Sequence, residues 1–153
     1  TAALAFGCGR RWCPCAVCGG DVLMLLHSDT ITLFSRVRGA RGQADTWVRH
    51  VLAGVKVEAK TAMTPGTTGD VPGHYVLLLV PKASIGALTY ATPEVYQAAD
   101  DRSRLIAFQP GDYFCRGDHE WAEYDVLCKV TECHRITSCA WFPLIAHFEV
   151  TAS

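Results

Sequence analysis

The chain has 153 residues, half of them hydrophobic and 19% charged, with a formal net charge of −1. That balance excludes a disordered polyelectrolyte, and no basic run exceeds Arg10-Arg11, so no phosphate-tracking surface is present and no nucleic-acid partner is expected. The longest apolar runs, 22–26 and 75–80, are far too short to cross a bilayer; no membrane insertion is expected, and the length suits one domain over residues 1–153.

The first six residues are apolar but lack the layout of a signal peptide, so a secreted form would begin after cleavage. Cys8, Cys13, Cys15 and Cys18 come next, and no further cysteine occurs before Cys115, Cys128, Cys133 and Cys139. Eight cysteines in a chain this small point to disulfides in an oxidising compartment. Cys13 and Cys15 lie one residue apart and leave an extended segment on opposite faces. They need partners elsewhere, which predicts at least one bridge from the first cluster to the second. The alternative is zinc, with Cys8, Cys13, Cys15 and Cys18 as one set and Cys128, Cys133, Cys139 and His134 as another, although neither set has the paired C-x2-4-C spacing of structural sites. The chain contains no asparagine, so a secreted form carries no N-glycan.

Residues 21–27 form an apolar run closed by Ser28-Asp29, and 30–38 alternate with period two and are rich in β-branched side chains, which predicts a hairpin. After a flexible connection at 39–43, residues 47–60 read as a long third strand bent around Gly54. Residues 64–73 are turn formers almost throughout and predict an exposed loop. The runs 74–80 and 85–90 predict a second hairpin whose first member is apolar enough to be buried on both faces. Thr92 as N-cap, Pro93 at the first helical position and Glu94 in the first turn mark a short helix. From Arg104 onward the chain is strand-like again, notably at 105–108 and 141–150. The expected fold is mainly β: a small five-stranded OB-like barrel with one short helix and disulfide-clamped termini, or alternatively a β-sandwich.

Cys13-Pro14-Cys15, then Cys18-Gly19-Gly20-Asp21 entering an apolar run, is similar to the opening of netrin-like modules and tissue inhibitors of metalloproteinases. The stretch from Cys128 through Thr131 and Cys133 to Cys139 resembles the junction after the inhibitors' barrel. The resemblance covers about forty residues in short pieces and implies a five-stranded barrel with a clamped N-terminal segment. Inhibition in that family uses the free amine of a terminal cysteine, whereas twelve residues precede Cys13 here, so zinc chelation of that kind is not expected.

The candidate binding residues are Arg116, Gly117, Asp118, Trp121 and Tyr124. Arg116-Gly117-Asp118 directly after Cys115 is an integrin-type tripeptide on a cysteine-anchored loop, and its plain reading is a turn with Gly117 at positive φ. Trp121 and Tyr124 beside Arg116 are the residue types that dominate protein interfaces. His119 and Glu120, with Asp118, Glu123 and Asp125, could bind a divalent cation or act as an acid–base pair; a solvated face is the competing reading. No Gly-rich phosphate loop or nucleophile elbow occurs, and no cofactor is expected. These features favour a secreted, disulfide-stabilised β domain that binds an extracellular or cell-surface protein through the rim loops 64–73 and 115–121. An intracellular viral or regulatory zinc protein is the second reading, and a hydrolase using His119 and Glu120 the third.

Overall fold

The structure is a computed structural model that describes residues 27–67 and 69–153. The predicted strand at 21–27, apart from His27, and the cluster Cys8, Cys13, Cys15 and Cys18 lie outside the described residues.

Among the described residues eight strands and two short helices run in order: β1 (Asp29–Val37), β2 (Thr46–Gly66), β3 (Gly69–Pro81), β4 (Thr89–Tyr90), α1 (Pro93–Ala98), β5 (Leu105–Ile106), β6 (Tyr113–Arg116), α2 (Tyr124–Leu127), β7 (Cys133–Phe142) and β8 (His147–Ala152). The mainly β class is what the alternating patterns predict. Pairing runs β1-β2-β3-β8-β7-β6 and returns from β6 to β1, every step antiparallel, while β4 and β5 form a small parallel pair. The ring thus has six strands where five were expected. Three of its members, β6, β7 and β8, follow the helix, whereas the five expected strands all preceded it; β6, with four residues, is too short to show a period.

The main core lies inside this ring. Ile31 and Leu33 from β1, Leu52 and Val55 from β2, Leu78 and Val80 from β3, and Val150 from β8 meet with exposures of 0–1%. One end is filled by rings: Phe148 lies 4.6 Å from Tyr90 and 5.4 Å from Phe108 between centroids. β1 is buried on its other face as well, because Phe34 packs with Tyr113, Cys115 and Leu127 in a second cluster.

β2 bends where the sequence places the bend. Val55 pairs with Asp29 and Ala53 with Thr30, leaving Gly54 unpaired at φ 74°. This is a bulge, and the left-handed backbone explains the glycine. The Gly54 carbonyl accepts a hydrogen bond from Ser84 Oγ at 2.8 Å, and the Asp29 carboxylate accepts one from the Val57 N–H at 3.0 Å.

Four expectations change. Residues 64–73 do not read as one loop in the structure: β2 and β3 stay in register to Gly66 opposite Gly69, with residues 64–67, 69 and 72 exposed. In β3, Val76, Leu78 and Val80 are buried, but Leu77 and Leu79 are only half covered, because alternate side chains leave the strand on opposite faces and only one face lines the interior of the ring. The hairpin expected from 85–90 does not form. Pro81 ends β3, a 3-10 turn (Lys82–Ile85) comes next with Gly86 at φ 58°, and β3 pairs with β8 instead. The run 141–150 is divided into two strands by a turn at 143–146, with Ala146 at φ 43°. The helix at Thr92-Pro93 forms as α1 and is held by Tyr96, which is fully buried; Thr92 is its N-cap residue by backbone geometry, without a side-chain hydrogen bond.

Of the disulfide expectation, one bridge lies among the described residues, and any bridge to the first cluster lies outside them. Cys115 and Cys133 are bonded to each other within the second cluster, and Cys128 and Cys139 are free thiols. The cause is register: Cys115 on β6 sits directly opposite Cys133 on β7. No helix among the described residues is long and apolar enough to cross a membrane.

Candidate functional site

β6 delivers the segment that the sequence singles out. Its residues Tyr113, Phe114 and Cys115 are buried, with exposures of 3%, 1% and 0%, so the strand is a fixed base for the turn at Gly117. The chain leaves β6 at that glycine, whose φ of 92° turns it away. The Gly117 N–H donates to the Thr30 carbonyl at 2.7 Å, and the Gly117 carbonyl accepts from Thr32 Oγ1 at 2.7 Å. Thr32 Oγ1 also accepts the backbone N–H of His119 at 3.0 Å.

Both charged members of the Arg116-Gly117-Asp118 tripeptide are engaged within the chain. Arg116 donates through Nε to Glu132 at 3.0 Å and lies 3.3 Å from Asp29 through Nη1. Asp118 pairs with Arg49, which also donates through Nε to the His119 carbonyl at 2.8 Å. The turn therefore ties β6 to β1 and β2. His119 Nε2 is 3.0 Å from the Arg116 carbonyl, and Glu120 is largely in solvent, 3.9 Å from Arg49. His119 and Glu120 thus face different partners. Among the described residues no group of three His, Cys, Asp or Glu is placed to hold a metal ion, and the second zinc set is overturned because Cys133 is bonded in the disulfide.

Trp121 and Tyr124 go elsewhere. They line a concave site of about 250 Å³ together with Trp47, Tyr113, Arg36, Arg135, Gly111, Glu123 and Asp125. Tyr113 is the floor, 4.9 Å from the Trp47 ring and 5.4 Å from the Tyr124 ring, with its hydroxyl donating to the Ala122 carbonyl at 2.6 Å. Burial pushes the Tyr113 hydroxyl up to about 12, so it stays a neutral donor. The Arg135 guanidinium sits 4.3 Å from the Tyr124 ring centre, a cation–π contact. Arg36 is neutralised by Asp45 at 2.7 Å. Glu123 and Asp125 make no ion pair among the described residues, and Trp121 is 50% exposed. The site therefore offers aromatic walls and a rim with both signs of charge.

Sequence reasoning named Trp121 and Tyr124 but missed Trp47, Tyr113, Arg36 and Arg135. Pairing explains why: Arg36 faces Trp47 across β1–β2, and Tyr113 faces Arg135 across β6–β7. Those neighbours are close through register and distant in sequence.

The chain belongs to a family of unknown function, DUF6751, whose model matches residues 26–153. No curated protein and no solved structure matches it.

Proposed function

We propose that this protein is a binding module without turnover, which recognises a protein partner through the concave site around Trp121 and Tyr124. The observation that carries the reading is the half-exposed Trp121 at the lip of an aromatic pocket whose Glu123 and Asp125 make no ion pair among the described residues. A rigid aromatic anchor ringed by charges is the composition found at interface hot spots. On this reading the six-stranded ring does what was expected of an OB-like barrel, holding binding groups at its rim at little ordering cost. The Cys115–Cys133 bridge supports an oxidising, extracellular setting.

Panning a displayed peptide library on the protein tests this. Recovered peptides are expected to bind the Trp121→Ala and Tyr124→Ala variants at least tenfold more weakly, about 1.4 kcal/mol or more. Trp121→Ala should leave the melting temperature close to wild type, since half of that side chain is already in solvent. Peptides that bind both variants as well as wild type would remove the site from consideration.

A further inference from the structure

The concave site around Trp121 is not balanced in charge. Trp121, Glu123, Tyr124 and Asp125 all reach it from the segment 117–128, which holds the carboxylates of Asp118, Glu120, Glu123 and Asp125 and neither lysine nor arginine. The two guanidiniums that line the site are already engaged, Arg36 with Asp45 at 2.7 Å and Arg135 over the Tyr124 ring at 4.3 Å. Once Asp45 is included, three carboxylates meet two guanidiniums. Of these groups Glu123 and Asp125 are the ones that make no ion pair among the described residues. Just outside, Asp118 and Glu120 lie against Arg49, and Lys129 is exposed past the end of α2, so the surroundings add no net charge.

The rings are arranged to hold a cation. Trp47 and Tyr124 flank the Tyr113 floor with their planes inclined to it by 60° and 74°, so the three rings border a hollow instead of closing into a stack. Aromatic faces are the negative part of the ring's charge distribution and attract ammonium and guanidinium groups. Tyr124 already carries one, the Arg135 guanidinium, which shows that a ring of this site accepts a cation. The volume of about 250 Å³ lies below the range of about 300–1,000 Å³ usual for whole small-molecule ligands, and suits one long side chain.

We propose that the anchor this site receives is a basic side chain of the partner, lysine or arginine, with its stem along Trp47 and Trp121 and its charge at Glu123 and Asp125. The inference rests on the reading of this site as a protein-binding one and names what it binds. A long basic side chain has both parts that the site asks for, an apolar stem for the rings and a charged head for the rim. An aliphatic anchor would cover the two carboxylates without giving them a partner, which costs free energy. An acidic anchor would meet the ring faces and both carboxylates with like charge, and the guanidiniums it needs are engaged already.

The test is an NMR titration of the full chain, labelled with nitrogen-15, read at the indole N–H of Trp121, which a Trp121→Phe variant assigns. The probes are capped tripeptides with alanine on either side of lysine, arginine, norleucine, citrulline or glutamate. The lysine and arginine probes are expected to move the Trp121 signal saturably and to bind about fivefold or more tightly than norleucine and citrulline, their uncharged counterparts. Added salt should weaken the two basic probes alone. A Glu123→Gln/Asp125→Asn variant, changed at two exposed positions, should keep the wild-type melting temperature and lose the preference for charge. Norleucine or citrulline binding as well as the basic probes, or glutamate binding better, would overturn the inference and leave the site a protein-binding one. No shift of Trp121 with any probe would overturn it as well, while library panning still decides the proposed function. The chain's own basic pair, Arg10-Arg11, is the competing occupant. An Arg10→Gln/Arg11→Gln variant is expected to bind the lysine probe as the wild type does, and binding that appears only in this variant would assign the site to the chain itself.

Discussion

Cys115 and Cys133 face each other across the β6–β7 ladder with their Cα atoms 4.2 Å apart, and their bond ties the wall of the ring to the start of β7. The closed loop, with a sequence separation of 18, contains Arg116 to Glu132, and so includes the tripeptide turn, Trp121 and α2. Chain entropy assigns about 3 kcal/mol to a loop of this size. The ladder already restrains the same residues, which places the expected loss for a Cys115→Ala/Cys133→Ala variant at about 2–3 kcal/mol in urea unfolding. Loss of Trp121-dependent peptide binding should accompany it, since the site's ordering depends on the same loop.

The two free thiols should behave differently. Cys128 is exposed at the end of α2, whereas burial pushes the Cys139 thiol up to about 11. Only the thiolate reacts, so at pH 8 iodoacetamide is expected to label Cys128 well before Cys139, as tracked by peptide mass spectrometry of native protein. Equal labelling rates would mean that Cys139 is not held on β7 as described.

Leu78 is fully buried, opposite Val57 on β2 and Val150 on β8. Leu78→Ala should cost about 2–5 kcal/mol through lost contacts and a residual cavity. Leu78→Asp should exceed that and yield insoluble chain, because the carboxylate finds no partner inside the ring. Leu79→Asp, one position along on the half-covered face, is expected to be much milder. Comparable melting temperatures for the two Asp variants would contradict the one-sided burial of β3.

Local patterns were the legible part of this chain. β1 showed its period and its β-branched residues, α1 showed Thr92-Pro93-Glu94, and Gly54 showed the bend because only a residue tolerant of φ 74° fits the bulge. Pairing was not legible. Pro65 and Pro72 read as loop residues because proline breaks central strands, and only the register, which turns both toward outer edges, lets the hairpin continue through them. The binding pocket has the same limit: Trp121 and Tyr124 stand out by residue type, but their floor, Tyr113, and their neighbour Trp47 are set by β1–β2 and β1–β6 pairing. The cysteine clusters suggested bridges between the chain's ends, and the partner of Cys115 proved to be the residue across the ladder.

Asp112, 1% exposed, gives the stability a specific pH dependence. Its carboxylate accepts the Arg36 N–H at 2.9 Å and the Gln109 N–H at 3.1 Å, and Gln109 in turn meets Gln97 at 2.7 Å, which fastens α1 to β1 and the start of β6. Burial pushes Asp112 up to about 6 from 3.8, against the pull of these donors in the other direction. A carboxyl whose folded pKa is raised holds its proton more tightly in the folded than in the unfolded chain. Its contribution to stability is therefore full below about pH 4 and is lost as pH rises through about 6. Urea unfolding midpoints for wild type and Asp112→Asn, measured at intervals from pH 4 to pH 7, isolate this group from every other titration. The expected result is a wild-type curve that falls relative to that of the variant across this window and then runs parallel to it. Asp112→Asn should also be less stable at pH 4, by about 1–3 kcal/mol, because its amide turns a donor toward one of the N–H groups that the carboxyl oxygens accept. Parallel curves throughout would show that Asp112 titrates alike in the folded and unfolded chains, and with that the buried junction of α1, β1 and β6 would have to be rebuilt.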